Sequence, residues 1–166
     1  DGRAFYRHRV QQFTTLDLSP RQVHDTGLSE VKRILAEMDE VVKKSGFKGT
    51  RKEFVEFLRT DSQFYAKDKE ELLKETALVL KKMDGELPAL FKRLPRTPYG
   101  IREVPAYIAP QTTTAYYSVP PADGTQAGFY YVNTYNLKAR PLYGVAALSL
   151  HEAVPGHHLQ LALQQE

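Results

Sequence analysis

Ser149-Leu150-His151-Glu152-Ala153-Val154-Pro155-Gly156-His157-His158-Leu159-Gln160 is the stretch on which the reading of this chain turns. Pro141 opens a segment that the sequence predicts as a last helix, running through this stretch to Glu166. Three of the chain's five histidines fall within the eight residues His151 to His158, next to a glutamate. A zinc hydrolase needs neutral imidazoles as ligands, a carboxylate near the metal to accept a proton, and an open coordination position. The common helical solution is H-E-x-x-H, with the histidines four residues apart on one face. Here Pro155 occupies that fourth position, and histidines come at steps of six and seven.

Regular helix geometry cannot join these residues at one metal. At about 100° per residue, His157 points about 120° away from His151 and lies about 9 Å along the axis. His158 returns to the same face but stands about 10.5 Å along it. Two ligand nitrogens on one zinc ion must lie about 3–3.5 Å apart. A bulge absorbing two residues would restore the register and bring His157 to the usual fourth position. Proline, which lacks a backbone donor, and glycine, which accepts unusual dihedrals, are the residues such a bulge would use.

Upstream, the first two-thirds of the chain reads as helices. Ser19-Pro20-Arg21-Gln22 is a capping box with proline at the first helical position. Val31, Ile34, Leu35, Met38, Val41 and Val42 follow at helical steps and predict one apolar face, expected in the core. Helices are predicted over 19–45, 50–59, 68–93 and 141–166. Gly85 and Pro88 predict a break in the third.

Composition changes near Pro95. Residues 104–108, 112–119 and 128–132 have strand-like content, and Pro120-Pro121-Ala122-Asp123-Gly124 is turn chemistry. Pro105 and Pro110 point to edge positions, since proline cannot donate to a ladder. The expected fold is therefore α+β and mainly helical: a helical lobe over 1–94, then a strand-rich segment with a small antiparallel, edge-strand sheet and the motif helix over 95–166.

Composition excludes several classes. The 166 residues are 42% apolar and 26% charged, the range of an ordinary globular protein. A net charge of +3, with no basic cluster interleaved with aromatics, gives no nucleic-acid surface. No apolar run approaches the ~20 residues of a membrane span. With no cysteine, disulfides, thiolate zinc sites and a cysteine nucleophile are excluded. The chain opens at Asp1-Gly2-Arg3 without methionine and stops within a helical pattern, so it reads as a piece of a longer protein.

The motif Ser149 to Gln160 resembles the H-E-x-x-P-G-H-H-x-Q signature of the bacterial DUF885 family, itself similar to the gluzincin metallopeptidases. Phe64-Tyr65, Leu94-Pro95-Arg96-Thr97-Pro98-Tyr99, Ala115-Tyr116-Tyr117 and Gly128-Phe129-Tyr130-Tyr131-Val132-Asn133 carry the resemblance along nearly the whole chain. It implies a gluzincin-like fold and a zinc-dependent hydrolase, foremost a peptidase acting on a peptide or small amide. His151 and His157 would be zinc ligands and Glu152 the general base. His158 would be the alternative ligand, or would orient a ligand or substrate. The third ligand would be a glutamate beyond Glu166, from the missing remainder of the parent chain, so the segment alone is expected to be inactive. Tyr116, Tyr117 and Tyr130 would belong to a strand that pairs with substrate backbone; the plainer reading makes them core-edge residues. Family members imply a bacterial cell-envelope, secreted or lipoprotein location. The competing function is a non-catalytic binding or scaffold module, in which Glu152 and the histidines form a structural cluster.

Overall fold

Ser19 and Gln22 start the longest helix with the reciprocal bonds that the sequence predicts: the Ser19 hydroxyl accepts from Gln22 N, and Gln22 Oε1 accepts from Ser19 N at 2.9 Å. The structure, a computed structural model, describes residues 1–166. It contains six α-helices and a three-stranded sheet: α1 (Gly2–Thr14), α2 (Pro20–Lys44), α3 (Arg51–Thr60), α4 (Lys69–Leu90), β1 (Tyr99–Glu103), β2 (Ala115–Ser118), β3 (Gly128–Val132), α5 (Leu142–Glu152) and α6 (His157–Gln165). The fold is α+β and mainly helical, as the sequence predicts. Two compact units divide at Leu58 and Arg59, whereas the sequence reading grouped α4 with the first lobe.

In residues 1–58, α3 is held to α2 by Arg51, whose Nη1 donates to Leu35 O and to Asp39 Oδ1, each at 2.8 Å. Phe47, Phe54 and Phe57 cluster beside this joint, the Phe47 and Phe54 rings 5.2 Å apart. The apolar stripe of α2 is not core, contrary to expectation: Val31, Ile34, Leu35, Met38 and Val41 are exposed, and only Val42 is buried. Length explains this. A 25-residue helix spans about 37 Å and the ten residues of α3 about 15 Å, so α3 covers only one end of the stripe. Helix α1, capped by Asp1, has a weaker apolar pattern and was not foreseen.

In residues 59–166, α4 and α5 pack together with the sheet. Leu72, Leu80 and Leu87 of α4, Tyr130 and Val132 of β3, Val145 of α5, Ala153 and Val154, and Leu159 of α6 form the core. Helix α4 runs on through Gly85 and Pro88 instead of breaking there. Pro88 lies in its last turn, where the missing donor costs one bond near the end of the ladder.

The sheet has the order β1-β3-β2. Strand β2 is antiparallel to β3, as expected, while β1 lies parallel to it, so the sheet is mixed. The strand predicted at 104–108 falls instead at Tyr99–Glu103. Val104 N still reaches Val132 O at 2.9 Å, but Pro105 has no N–H, and its carbonyl accepts from Ile108 and Ala109 in a turn. Gly128, Tyr130 and Val132 are buried toward the helices; Phe129 and Tyr131 lie on the other face. Asn133 ends β3 with a clamp: its Nδ2 donates to the carbonyls of Ala109, Thr112 and Thr113.

Candidate functional site

The predicted motif helix over 141–166 is two helices. Helix α5 ends at Glu152, α6 begins at His157, and the Val154–Pro155 peptide between them is cis. Gly156 N donates to Leu150 O at 2.9 Å. A regular helix would bond residue 156 to residue 152, so this bond reaches back six residues instead of four. Two residues are thereby taken out of the register, the number the sequence geometry requires. Glycine is needed here, because a β-carbon on Gly156 would lie 1.8 Å from the His151 carbonyl oxygen. His158 N then bonds Ala153 O at 2.9 Å and Gln160 N bonds Gly156 O at 3.1 Å, which starts the new helix.

This break brings His151 and His157 together. Their ring centres are 4.7 Å apart and their planes are near perpendicular, at 83°. Glu152, nearly buried, places Oε2 3.9 Å from His157 Nε2. His151 is exposed and His157 half-buried, so the imidazoles border solvent while the carboxylate sits behind them.

His158 points elsewhere. It is 3% exposed, and its Nδ1 lies 2.7 Å from the Tyr117 hydroxyl. Its ring lies against Tyr99, with centres 5.0 Å apart. Burial holds the His158 imidazole below its ordinary pKa, opposed by the Thr97 carbonyl and by Asp84. Tyr99 in turn donates to Asp84 Oδ1 at 2.8 Å, and burial, with Asp84, raises its pKa.

Of the three tyrosines that the sequence singled out, two face the motif. Tyr117 rests over Gly128, where a β-carbon would collide with its hydroxyl, and its ring lies nearly parallel to His157 at 6.5 Å. Burial pushes the Tyr117 phenol up to about 12. Tyr130 is 1% exposed, and its pKa is raised by burial. Its hydroxyl stands beside Ser149, whose buried Oγ nevertheless makes no hydrogen bond of proper geometry. Tyr116 points to the opposite face, stacked on Tyr131 at 4.7 Å near Phe129, over which Arg102 lies at 3.5 Å.

Strand β2 is an edge strand. Asn133 N donates to Thr114 O at 3.1 Å, so by antiparallel alternation Tyr116 and Ser118 face β3, and the backbone groups of Ala115 and Tyr117 turn to the open edge. Thr113 Oγ1 covers the Ala115 carbonyl at 2.7 Å. The Tyr117 N–H and C=O remain directed outward, beside the motif.

The donor set was tested against zinc. Two imidazoles 4.7 Å apart at their centres fit two positions of one ion. Glu152 stands 3.9 Å from His157 Nε2, and the three side chains as placed do not form a metal-holding group. Glu166 is engaged elsewhere, accepting from Arg96 N at 2.7 Å and Arg96 Nε at 3.2 Å. Sequence reasoning missed Asp84, Thr97, Tyr99 and Gly128 as supports of the motif. All four act across tertiary contacts; Thr97, Tyr99 and Gly128 lie inside stretches already singled out, and Asp84 does not.

The fold and site define a mainly helical α+β protein whose broken helix gathers two histidines and a glutamate. The chain belongs to the family described as "Bacterial protein of unknown function (DUF885)", whose model matches residues 1–166. Among solved structures, it is similar to "the putative lipoprotein from Colwellia psychrerythraea", with a TM-score of 0.84 and 31% identity. That match covers 99% of this chain and 29% of the other. No curated protein matches the chain. No helix is long and apolar enough to cross a membrane.

Proposed function

We propose that this chain carries two metal ligands and the general base of a zinc-dependent hydrolase of gluzincin type, acting on peptides or small amides. The observation that carries the proposal is the Gly156–Leu150 bond, which removes two residues from the helical register and sets His157 against His151 and Glu152. A zinc ion bound there would supply Lewis-acid activation of water and of the scissile carbonyl. His151 and His157 would hold it, with further ligation from outside residues 1–166. Glu152 would take the proton of the attacking water and pass it to the leaving amine. The outward Tyr117 backbone supports an extended peptide as substrate, since an edge strand can pair with one more strand. A cell-envelope location is part of the proposal, supported by the description of the Colwellia psychrerythraea protein.

The test uses protein expressed from its full open reading frame. Glu152→Gln should retain zinc and lose about 10²–10⁴-fold in hydrolysis, the usual contribution of a general base. His151→Ala and His157→Ala should lower zinc content itself. Undiminished turnover in Glu152→Gln would remove the assigned role. A second reading, a scaffold module with a structural His/Glu cluster, is supported by the near burial of Glu152 beside His157. It predicts wild-type protein that holds no zinc and hydrolyses no peptide.

A further inference from the structure

We infer that Tyr117 and His158 are a positioning pair for His157: together they tie the first turn of α6 to the sheet and so fix the imidazole that faces His151. This rests on the metal reading of the site proposed above, and it adds residues that touch no metal.

Helix α6 has nine residues and a poor beginning. Gly156 stands at its N-cap without a side-chain bond, and no acidic residue lies in its first turn. Short helices without a side-chain cap fray; in the first turn of α6 the backbone bond from His158 N to Ala153 O, at 2.9 Å, is the tie to the preceding segment. His157, the residue whose placement matters, is the first residue of that turn.

The neighbouring side chain replaces the missing cap. His158 is 3% exposed, and its Nδ1 lies 2.7 Å from the Tyr117 hydroxyl. Either tautomer of the imidazole allows this bond, since the phenol can donate or accept. Tyr117 in turn is fixed on β2, whose Tyr117 pairs with Tyr130, and its ring fits because Gly128 leaves room for it. Tyr99, held by Asp84, closes another side of the imidazole. The chain of contacts thus runs from β2 through Tyr117 to His158, and through the backbone to His157. The nearly parallel Tyr117 ring also bounds the space in which the His157 ring can turn.

The contact sets His158 apart from the other two histidines: its ring is buried against Tyr99 and Tyr117, whereas His151 is exposed and His157 half-buried.

Three variants of the protein expressed from its full open reading frame test the inference: Tyr117→Phe, His158→Leu and His158→Asn. Zinc affinity is measured by chelator competition, and amide exchange of residues 157–160 is measured on metal-free protein. Tyr117→Phe and His158→Leu should weaken zinc about tenfold to a hundredfold, the usual effect of losing a group that orients a ligand. Both should speed exchange in the first turn of α6. His158→Asn keeps an acceptor near the Nδ1 position and should stay close to wild type in both measurements. Tyr117→Phe with unchanged affinity and unchanged exchange would overturn the inference. So would loss of zinc in both His158 variants while Tyr117→Phe keeps it, since that marks His158 as a ligand. If His158→Leu does not fold, Tyr117→Phe decides, because it removes one oxygen and keeps the ring. If wild-type protein holds no zinc, the metal reading fails on its own. Exchange then decides the pair: faster in Tyr117→Phe but not in His158→Asn supports it, and no change in Tyr117→Phe overturns it.

Discussion

A β-carbon on Gly156 would stand 1.8 Å from the His151 carbonyl oxygen and 2.6 Å from that of Leu150, so alanine cannot enter without opening the break. Backbone, unlike a flexible side chain, gives way only at a cost. Gly156→Ala should therefore destabilise residues 59–166 by about 1–3 kcal/mol or more, the range for overpacking, as read by urea unfolding. It should also separate the two imidazoles and lower zinc content. Neutral behaviour in both measurements would show that the break tolerates a different path. Tyr117 gives a second expectation. An exposed tyrosine ionises near pH 10, whereas burial pushes this one up to about 12. The folded state keeps the proton longer than the unfolded chain does. The stability linked to this group is thus whole below about pH 10 and is lost as pH rises toward 12. The difference in phenolate absorbance between wild type and Tyr117→Phe should show one late-titrating group; a step near pH 10 would contradict the burial.

Among the elements, α2 tests how far a pattern can be trusted. Its apolar residues recur at helical steps, and such a stripe usually marks a buried face. Here Val31 is 55% exposed. Val31→Lys in residues 1–166 should accordingly change unfolding free energy by no more than about 0.5 kcal/mol. A cost above about 2 kcal/mol would place Val31 in a core. The pattern gave the helix and its start at Ser19 correctly, because capping and periodicity are local. Burial is not local, and α3 is too short to supply it. The break after α5 was legible for a similar reason: spacing alone demanded that two residues be absorbed, and Pro155 and Gly156 marked where. Its form, two helices instead of one bulged helix, depends on the backbone bond from Gly156 to Leu150 and could not be counted from spacing. Strand β1 lies five residues before the predicted 104–108, since pairing with β3 selects Tyr99 to Glu103, and Pro105, which cannot donate, turns the chain beyond it. The supports of His158 were illegible as supports, because Tyr99 and Tyr117 reach it from two separate parts of the chain.

For the whole molecule, the donor set decides behaviour. In the proposed site His151 and His157 are the ligands and Glu152 the base, one protein ligand fewer than the three that catalytic zinc normally has. Residues 1–166 prepared by themselves should bind zinc more weakly than the protein from its full reading frame, by more than about tenfold in calorimetric titration. Equal affinity in the two would mean that these residues complete the site by rearrangement. The sheet carries its own means of being watched. Its outer face stacks Tyr116 on Tyr131 at 4.7 Å, and the sequence has no tryptophan. Near-ultraviolet light is therefore absorbed by tyrosine and phenylalanine alone. Ten tyrosines share that band, and the order of Tyr116 and Tyr131 depends on the pairing of β2 with β3, so the part of its circular dichroism that Tyr116→Phe removes should vanish when the two strands separate.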